Sequence, residues 1–243
     1  NNIPVTYAND INSKENIQWI KSHKPDVIFC FGWSRLIKKE LLNLAPLGVL
    51  GYHPTALPLN RGRHPLIWAL VLGLDQTAST FFFMDEGADS GDILSQEPIT
   101  ISKSDNARSL YKKVVDVGLK QLEKFLPGLE SGDFKRLPQD SYKANIWRKR
   151  GARDGEIDWR MSAESIHNLV RGLSKPYFGA HFLIEGKQIK VWETEVVFNN
   201  EKNIEPGKVL FFNKEKPIIK TGENSIKLLE IEPIIKFKQG TYL

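Results

Sequence analysis

The sequence predicts a two-part α/β protein, with a mostly parallel β-sheet covered by helices on both faces and then a small antiparallel β-barrel. In the first half, short apolar runs typical of buried strands alternate with segments whose apolar residues have helical spacing. From about residue 140, short apolar segments are separated by Gly, Asn and Pro, which is typical of a small barrel. We therefore predict one domain over residues 1–140 and a second over residues 141–243.

The elements of the first half follow in a regular order. A short strand is predicted over residues 3–6, a helix over KENIQWIKSHK and a fully buried strand over PDVIFCFG. Then come a helix in RLIKKELLNLA, a strand in VLGYH, a helix in PLIWALVLGL and strands in STFFFMD and DILSQEPITI. A long helix, ARSLYKKVVDVGLKQLEKFLPGL, is predicted to end at Pro127 and Gly128 because proline interrupts helices.

A doubly wound, Rossmann-like sheet usually opens with a strand and a glycine-bearing turn before the elements found here. The chain begins with Asn1 and its first clear buried strand is already PDVIFCFG. We therefore expect the opening βαβ portion to be missing or to lie upstream.

The second half predicts one amphipathic helix, SAESIHNLVRGL, and five short strands. The strands are expected in AHFLIEG, QIKVWETEVV, GKVLFF, PIIKTG and SIKLLEIEPI. Five antiparallel strands of this length favour an OB-like barrel.

Composition limits the partners that the protein can have. Its 34 Lys and Arg residues against 29 Asp and Glu residues give a formal net charge of +5, so the surface is mixed and an extended basic surface for nucleic acid is disfavoured. The single cysteine excludes an intrachain disulfide and favours a reducing cytoplasm. No apolar run is long enough to span a membrane, and no group of residues has metal-ligand spacing.

The stretch GYHPTALPLNRGRHP places a histidine where chemistry is expected in such a fold. His53 closes the strand VLGYH, and ligands of doubly wound sheets bind at the carboxyl ends of the strands. The next strand leads into DEGADSGD, whose carboxylates include Asp85 and Asp89. A carboxylate beside a histidine is the usual arrangement of a general base. The alternative is a structural histidine next to a solvated acidic turn.

Two runs, HPTALPLNRGRHPLIWALVLG and TASTFFFMDEGADSGDIL, resemble the signature of the folate-dependent formyltransferases. As in that family, a histidine is followed by an LP turn, an RG pair, an apolar helix and a strand that leads into a D-x-G-x-D-x-G loop. Asp89 follows His53 by 36 residues, the separation that the family has between its paired histidine and aspartate. The segment from GEIDWRMSAES to KVWETEVV is similar to the carboxy-terminal barrel of the tRNA and sugar enzymes of this family.

The resemblance implies transfer of a formyl group from N10-formyltetrahydrofolate to an amine, without a metal, leaving tetrahydrofolate. It implies that His53 takes the amine proton or polarises the formyl oxygen, and that Asp89 orients His53. It places the folate against main-chain groups at Arg35 and Ile37 and against the loop that contains Asp85 and Asp89.

Three residues are candidates for substrate binding. Trp33 follows a strand end and could stack on a ring, although aromatic residues there often serve packing. Arg61 and Arg63 could bind an anionic substrate or could pair with the acidic loop.

One position departs from the family pattern, because Gly51 stands where the family has an asparagine that helps to hold the formyl oxygen. Loss of such a donor typically lowers the rate about 100- to 1000-fold, so another group must substitute or the activity must be low. Asn60 matches in chemical type, and a bound water is an equal alternative.

The expected acceptor is a dTDP- or UDP-linked amino sugar, as in the biosynthesis of O-antigen or lipopolysaccharide sugars, because the charge is moderate and RGRHPLIWALVLG is closer to the sugar enzymes than to the tRNA enzymes. The alternatives are a methionyl-tRNA formyltransferase and a non-catalytic relative that binds folate or a nucleotide sugar. As in many of the sugar enzymes, we expect a cytoplasmic homodimer.

Overall fold

The computed structural model describes residues 3–33 and 35–243, which contribute to two compact units. The first unit comprises Asn1–Gly62, Ala78–Pro98 and Val117–Ile146, and the second comprises Arg63–Thr77, Ile99–Asp116 and Trp147–Leu243. Each unit therefore draws on three stretches of chain. The two units are defined by contacts, whereas the predicted domains 1–140 and 141–243 are continuous segments of the chain. That division into domains stays a prediction.

Five α-helices and eleven strands are found in the described residues. The helices are α1 Lys14–Ser22, α2 Lys39–Leu42, α3 Pro65–Val71, α4 Ala107–Ser131 and α5 Ala163–Gly172. The strands are β1 Ile28–Cys30, β2 Val49–His53, β3 Arg61–Gly62, β4 Gln76–Phe83, β5 Ile93–Thr100, β6 Ile146–Trp147, β7 Ala180–Ile184, β8 Lys187–Val197, β9 Val209–Asn213, β10 Lys216–Lys220 and β11 Ser225–Glu232. No helix in residues 3–33 and 35–243 combines the length and the apolar content needed to cross a bilayer.

A four-stranded sheet of order β1-β2-β4-β5 organises the first unit, which confirms the α/β class. β1 and β2 are parallel, whereas β2 and β4 are antiparallel. The sheet is thus more mixed than the mostly parallel one that we predicted. Alternation of strands and helices predicts the order of elements but not their direction, and sheets that mix parallel and antiparallel pairs are common in α/β folds.

Helix α4 covers this sheet and is longer than the sequence predicts. It continues through Pro127 to Ser131. Leu126 and Leu129 lie in a hydrophobic cluster with the strand residues Leu50 and Phe81, and Leu129 is almost fully buried. Burial of this apolar face outweighs the one hydrogen bond that a proline removes, so the prediction that the helix ends at Pro127 was wrong.

Two predictions about the first fifty residues were also wrong. Residues 3–6 form no strand. The strand predicted over PDVIFCFG is not fully buried, because Phe29 of β1 and Phe31 just after it are 40% and 45% exposed. β1 is an edge strand of the described sheet, with β2 as its neighbour, and an edge position leaves side chains open to solvent.

The second unit contains the predicted helix α5 and an antiparallel sheet of order β7-β8-β11-β10-β9. The five strands fall where the sequence predicts them, which confirms a second, β-rich part. Its core packs α5 against the sheet through Ile166, Leu169, Phe182 and Ile226. These side chains are nearly inaccessible to solvent because both elements present an apolar face to each other.

A buried carboxylate in the second unit is expected to make the stability depend on pH. Burial alone would raise the pKa of Asp105, but hydrogen bonds from Lys113, Ser102 and Ser109 lower it to about 2. A lowered pKa in the folded state stabilises the protein fully above the unfolded pKa of about 3.9, and the effect is lost as the pH falls through the folded value.

We therefore expect Asp105→Asn to lower the free energy of unfolding by about 2 kcal/mol at pH 7. The difference from the wild-type protein should vanish as the pH falls toward 2. Chemical denaturation of both proteins across this pH range checks the prediction, and a difference that does not change with pH would contradict it.

Candidate active site at the end of strand β2

His53 is the last residue of β2 and is only 5% exposed. Because β1 and β2 are parallel, their carboxyl ends meet at the same edge of the sheet. Leu50 and Tyr52 of β2 pack in the core, which fixes the register that brings His53 to this edge. The predicted position of His53 is thus the observed one.

Both ring nitrogens of His53 lie near oxygen atoms. Nε2 is 2.8 Å from the main-chain oxygen of Asn60. A carbonyl oxygen only accepts hydrogen bonds, so Nε2 carries a proton and donates it. Nδ1 is 3.7 Å from Oδ2 of Asp89, which is longer than a hydrogen bond but close enough for an ion pair with a protonated ring. The structure therefore brings together the two residues that the sequence pairs.

Asp89 is held by hydrogen bonds to its carboxylate and to its main-chain oxygen. Its φ of 53° is in the left-handed region, which is uncommon for a residue other than glycine. Its Oδ2 accepts a hydrogen bond from the Gly62 N–H at 2.8 Å. Its main-chain oxygen and that of Gly91 accept hydrogen bonds from Nε2 of Gln139 at 2.9 and 2.7 Å. These bonds hold the strained backbone in place.

Arg61 reaches the same loop through Gln139. Its guanidinium donates from Nε and Nη2 to Oε1 of Gln139 at 3.1 and 2.7 Å, and the residue is 8% exposed. Sequence reasoning missed Gln139, which follows Asp89 by 50 residues in a polar segment with no motif of its own. Only the fold brings it to the loop.

The side-chain oxygen of Asn60 is already engaged. Its Oδ1 accepts a hydrogen bond from Nδ2 of Asn145 at 3.1 Å, and its N–H donates to Oδ1 of Asn145 at 2.8 Å. It is the main-chain oxygen of Asn60, and not the amide, that contacts His53. The suggestion that this amide replaces the donor missing at Gly51 gains no support from these contacts.

Gly51 lies in the middle of β2 with no room for a side chain. A Cβ atom there would be 2.9 Å from Cγ of Met84 and 2.9 Å from Cζ of Phe82. Phe82 is 2% exposed and cannot swing away. An asparagine in this position requires a different packing of β4, so the glycine is dictated by its neighbours.

Gly51→Ala is expected to lower the free energy of unfolding by about 1 to 3 kcal/mol through overpacking. Thermal denaturation checks this result. Gly186→Ala serves as a control for substitution of a glycine in open space, where only the positive φ of 75° is strained. A variant Gly51→Ala as stable as the wild type would contradict the packing argument.

The other predicted binding residues of the first unit, Trp33, Arg35 and Ile37, follow the carboxyl end of β1 in the chain. Trp33, 39% exposed, and Arg35 line a hollow of about 340 Å³ with Ala8, Asn9 and Gly32. Arg35 donates from Nη1 to the main-chain oxygen of Asn9 at 2.6 Å. Ile37 packs instead in the core with Leu41 and Val49. Only main-chain groups of Ile37 therefore remain for a ligand.

Asp85 and Arg63 have different surroundings. Oδ1 of Asp85 accepts hydrogen bonds from the Gly87 N–H at 2.9 Å and from Ser90 Oγ at 2.7 Å, so this carboxylate shapes its own loop. Arg63 belongs to the second unit, where its N–H donates to the main-chain oxygen of Trp147 at 3.0 Å. The roles of both residues in binding stay predictions.

The arrangement around His53 is suited to proton transfer. An imidazole that already donates one proton and faces a carboxylate can move a proton at the other nitrogen when a substrate closes the gap. In residues 3–33 and 35–243, no group of three or more His, Cys, Asp or Glu side chains is placed to hold a metal ion.

Two family models match the chain. The model described as "Formyl transferase" matches residues 5–126, and the model described as "Formyl transferase, C-terminal domain" matches residues 151–239. The first range contains His53 and Asp89, and the second contains the antiparallel sheet.

Curated relatives agree with these models. A methionyl-tRNA formyltransferase of Caldanaerobacter subterraneus subsp. tengcongensis is 36% identical over 234 residues, which are 94% of this chain and 73% of the relative. The bifunctional polymyxin resistance protein ArnA of Wigglesworthia glossinidia brevipalpis is 34% identical over 230 residues, which are 95% of this chain and 35% of the relative. The chain thus spans only about a third of this second relative.

A solved structure has the same fold. The N-formyltransferase of Helicobacter canadensis, in complex with folinic acid and dTDP-3-aminofucose, matches with a TM-score of 0.65 at 17% identity. The match covers 82% of this chain and 72% of that chain.

Proposed function

Because the chain belongs to the formyl transferase family, we propose that it transfers a formyl group from N10-formyltetrahydrofolate to the amine of a nucleotide-linked amino sugar. The observation that carries this proposal is the His53–Asp89 pair at the end of β2, inside the range that the family model matches. The folate supplies the formyl group, which passes from its N10 atom to the amine as one C–N bond forms and another breaks.

The residues of the chain handle the proton that must leave the amine and reach the folate nitrogen. His53 accepts this proton at Nδ1, the nitrogen that has no hydrogen bond to any residue of the ranges 3–33 and 35–243. Asp89 then stabilises the charged imidazole, because its Oδ2 faces Nδ1. The Asn60 main-chain oxygen keeps the ring in one orientation throughout, since it binds the Nε2 proton.

A hollow in the first unit supports the proposed binding of folate. The hollow beside Trp33 and Arg35 follows the carboxyl end of β1, next to the strand that ends at His53. An exposed indole and a guanidinium suit a flat heteroaromatic ring with polar edges. A volume of about 340 Å³ suits the pterin ring and leaves the rest of the folate outside.

Two observations support a nucleotide sugar as the acceptor. The Helicobacter canadensis enzyme of the same fold was solved with a dTDP-linked amino sugar and a folate. The net charge of +5 is shared by 34 basic and 29 acidic residues, which suits a diphosphate better than an extended RNA surface.

Methionyl-tRNA is the second candidate acceptor. The observation in its favour is the relative that is 36% identical and of which the chain covers 73%. The two acceptors differ in size and charge, so the same assay distinguishes them.

The test is a transfer assay with N10-formyltetrahydrofolate and a panel of dTDP- and UDP-linked 3-amino and 4-amino sugars, with initiator methionyl-tRNA alongside. Mass spectrometry detects the formyl group on the acceptor. Transfer to one sugar nucleotide supports the proposal, and transfer to the tRNA alone replaces it with the second candidate. Folate binding without transfer to any acceptor would leave a non-catalytic binding protein.

A further inference from the structure

The second unit contains an open cleft of about 600 Å³ that the proposed chemistry does not use. Its walls are formed by residues 103–106, by α5, by Trp192 to Thr194 of β8, and by Arg108 in the first turn of α4. Clefts of this size are typical of sites for small molecules.

Arg171 of α5 lines the cleft and is held in one orientation. Its Nε donates to Oδ1 of Asn168 at 2.7 Å, and its Nη1 donates to the main-chain oxygens of Ser102 and Asp105 at 3.3 and 3.0 Å. Nη2 has no acceptor in the described part of the chain. The residue is half-buried, so two fixed N–H groups remain for a ligand at little cost in side-chain entropy.

The cleft carries a surplus of positive charge. Lys103, Arg108 and Lys175 line it together with Arg171, and the side chains of Lys103 and Arg108 have no ion-pair partner among residues 3–33 and 35–243. The Asp105 carboxylate is neutralised by Lys113 at 2.5 Å. Glu230 in the lining is paired with Lys175 at 3.6 Å. Lys103, Arg108 and Arg171 therefore face one remaining carboxylate, Glu193, which leaves a surplus of two cations.

Asn106 caps the N-terminus of α4 and occupies N–H groups of its first turn. The positive charge of the cleft therefore comes from side chains and not from free N–H groups of the helix. Oδ1 of Asn106 accepts from the N–H groups of Arg108 and Ser109 at 3.0 and 3.1 Å.

The remaining walls offer a neutral imidazole and an apolar surface. Nδ1 of His167 is 3.0 Å from Oγ1 of Thr194, and Nε2 has no partner in the described residues. Burial lowers the pKa of His167, and Arg171 lowers it further, so the ring is neutral at neutral pH. Trp192 and Val170 complete the lining with apolar atoms.

We propose that this cleft binds a small phosphate monoester such as a nucleoside monophosphate. A phosphate monoester carries a charge of about −1.5 to −2 at pH 7 and three acceptor oxygens, which matches the surplus of two cations and the free N–H groups of Arg171. The phosphate group fills only part of about 600 Å³, so the organic part lies beside the Trp192 ring, near which the Nζ atoms of Lys175 and Lys190 lie 5.0 and 5.4 Å from the ring centroid. The proposal concerns binding alone and does not depend on formyl transfer.

The test uses the indole N–H of Trp192 as a local reporter. The protein has six tryptophans, so the indole region of a ¹H–¹⁵N spectrum is simple, and Trp192→Phe identifies the signal. Titration with UMP is expected to shift this signal until it saturates, whereas uridine should leave it unchanged. The indole ring lines the cleft, while its N–H donates to Oε2 of Glu232 at 2.9 Å. UMP in the cleft therefore shifts the signal through the ring, whereas UMP bound at a distant acceptor site does not.

A charge-matched pair of variants completes the test. Lys103→Glu with Arg108→Glu removes two cations of the cleft and is expected to weaken UMP binding about tenfold or more. Lys202→Glu with Lys216→Glu makes the same change in net charge at exposed positions outside the cleft and should leave the affinity unchanged. No saturable shift at Trp192, equal binding of uridine, or equal weakening in both double variants would overturn the proposal.

Discussion

Replacing His53 by alanine is expected to lower kcat for formyl transfer by about 10²- to 10⁴-fold, the usual contribution of a general acid or base. The imidazole faces both a carboxylate and a main-chain carbonyl, so its removal leaves the amine proton without its proposed acceptor. The measurement is the rate of mass gain on the acceptor at saturating folate.

Two control measurements test whether the loss of activity is specific to the imidazole of His53. His23→Ala removes an exposed histidine of the same unit and should leave kcat unchanged. Binding of tetrahydrofolate, measured by calorimetry, should be the same in His53→Ala and in the wild type. A variant His53→Ala with normal kcat would show that Asp89 or a bound water handles the proton.

Loss of the Gln139 amide is expected to lower kcat about 100-fold, because small displacements of catalytic groups have effects of this size. Gln139 is a positioning residue that acts through Asp89 and Gly91, whose main-chain oxygens it binds. Gln139→Glu keeps an acceptor for Arg61 but removes both N–H donors, whereas Gln139→Leu removes the acceptor as well.

The two Gln139 variants separate positioning from stability. Only Gln139→Leu leaves the buried guanidinium of Arg61 without its acceptor, so only this variant should lose about 1 to 3 kcal/mol of stability. Both should lower kcat and alter the pH profile of kcat/KM, with a smaller change in KM. Gln18→Glu, an exposed substitution on α1, is the control. Normal kcat in Gln139→Glu would mean that the amide does not position Asp89.

Much of the fold follows from local patterns. The apolar run VLGYH and the alternation in SIKLLEIEPI predict strands that the structure contains, because burial of one face selects the period of the side chains. The end of α4 did not follow from its sequence. Pro127 is a local signal for termination, but the packing of Leu129 on the sheet is a tertiary effect and outweighs it.

The sequence by itself determined the pair of residues at the centre of the site. A histidine at a strand end and an aspartate in the following acidic loop are expected at one edge of a sheet, and they lie 3.7 Å apart. The family likeness, the net charge and the two-part architecture were also evident from the chain alone.

Only the tertiary structure decided what surrounds this pair. Gln139, Arg61 and the carbonyl of Asn60 meet the His53 and Asp89 loops because segments far apart in the chain fold together, and no local pattern encodes such contacts. The same holds for Gly51, whose lack of a side chain is explained by Phe82 of the neighbouring strand and by Met84, which follows that strand. Close packing is a property of the folded interior and cannot be read from one segment at a time.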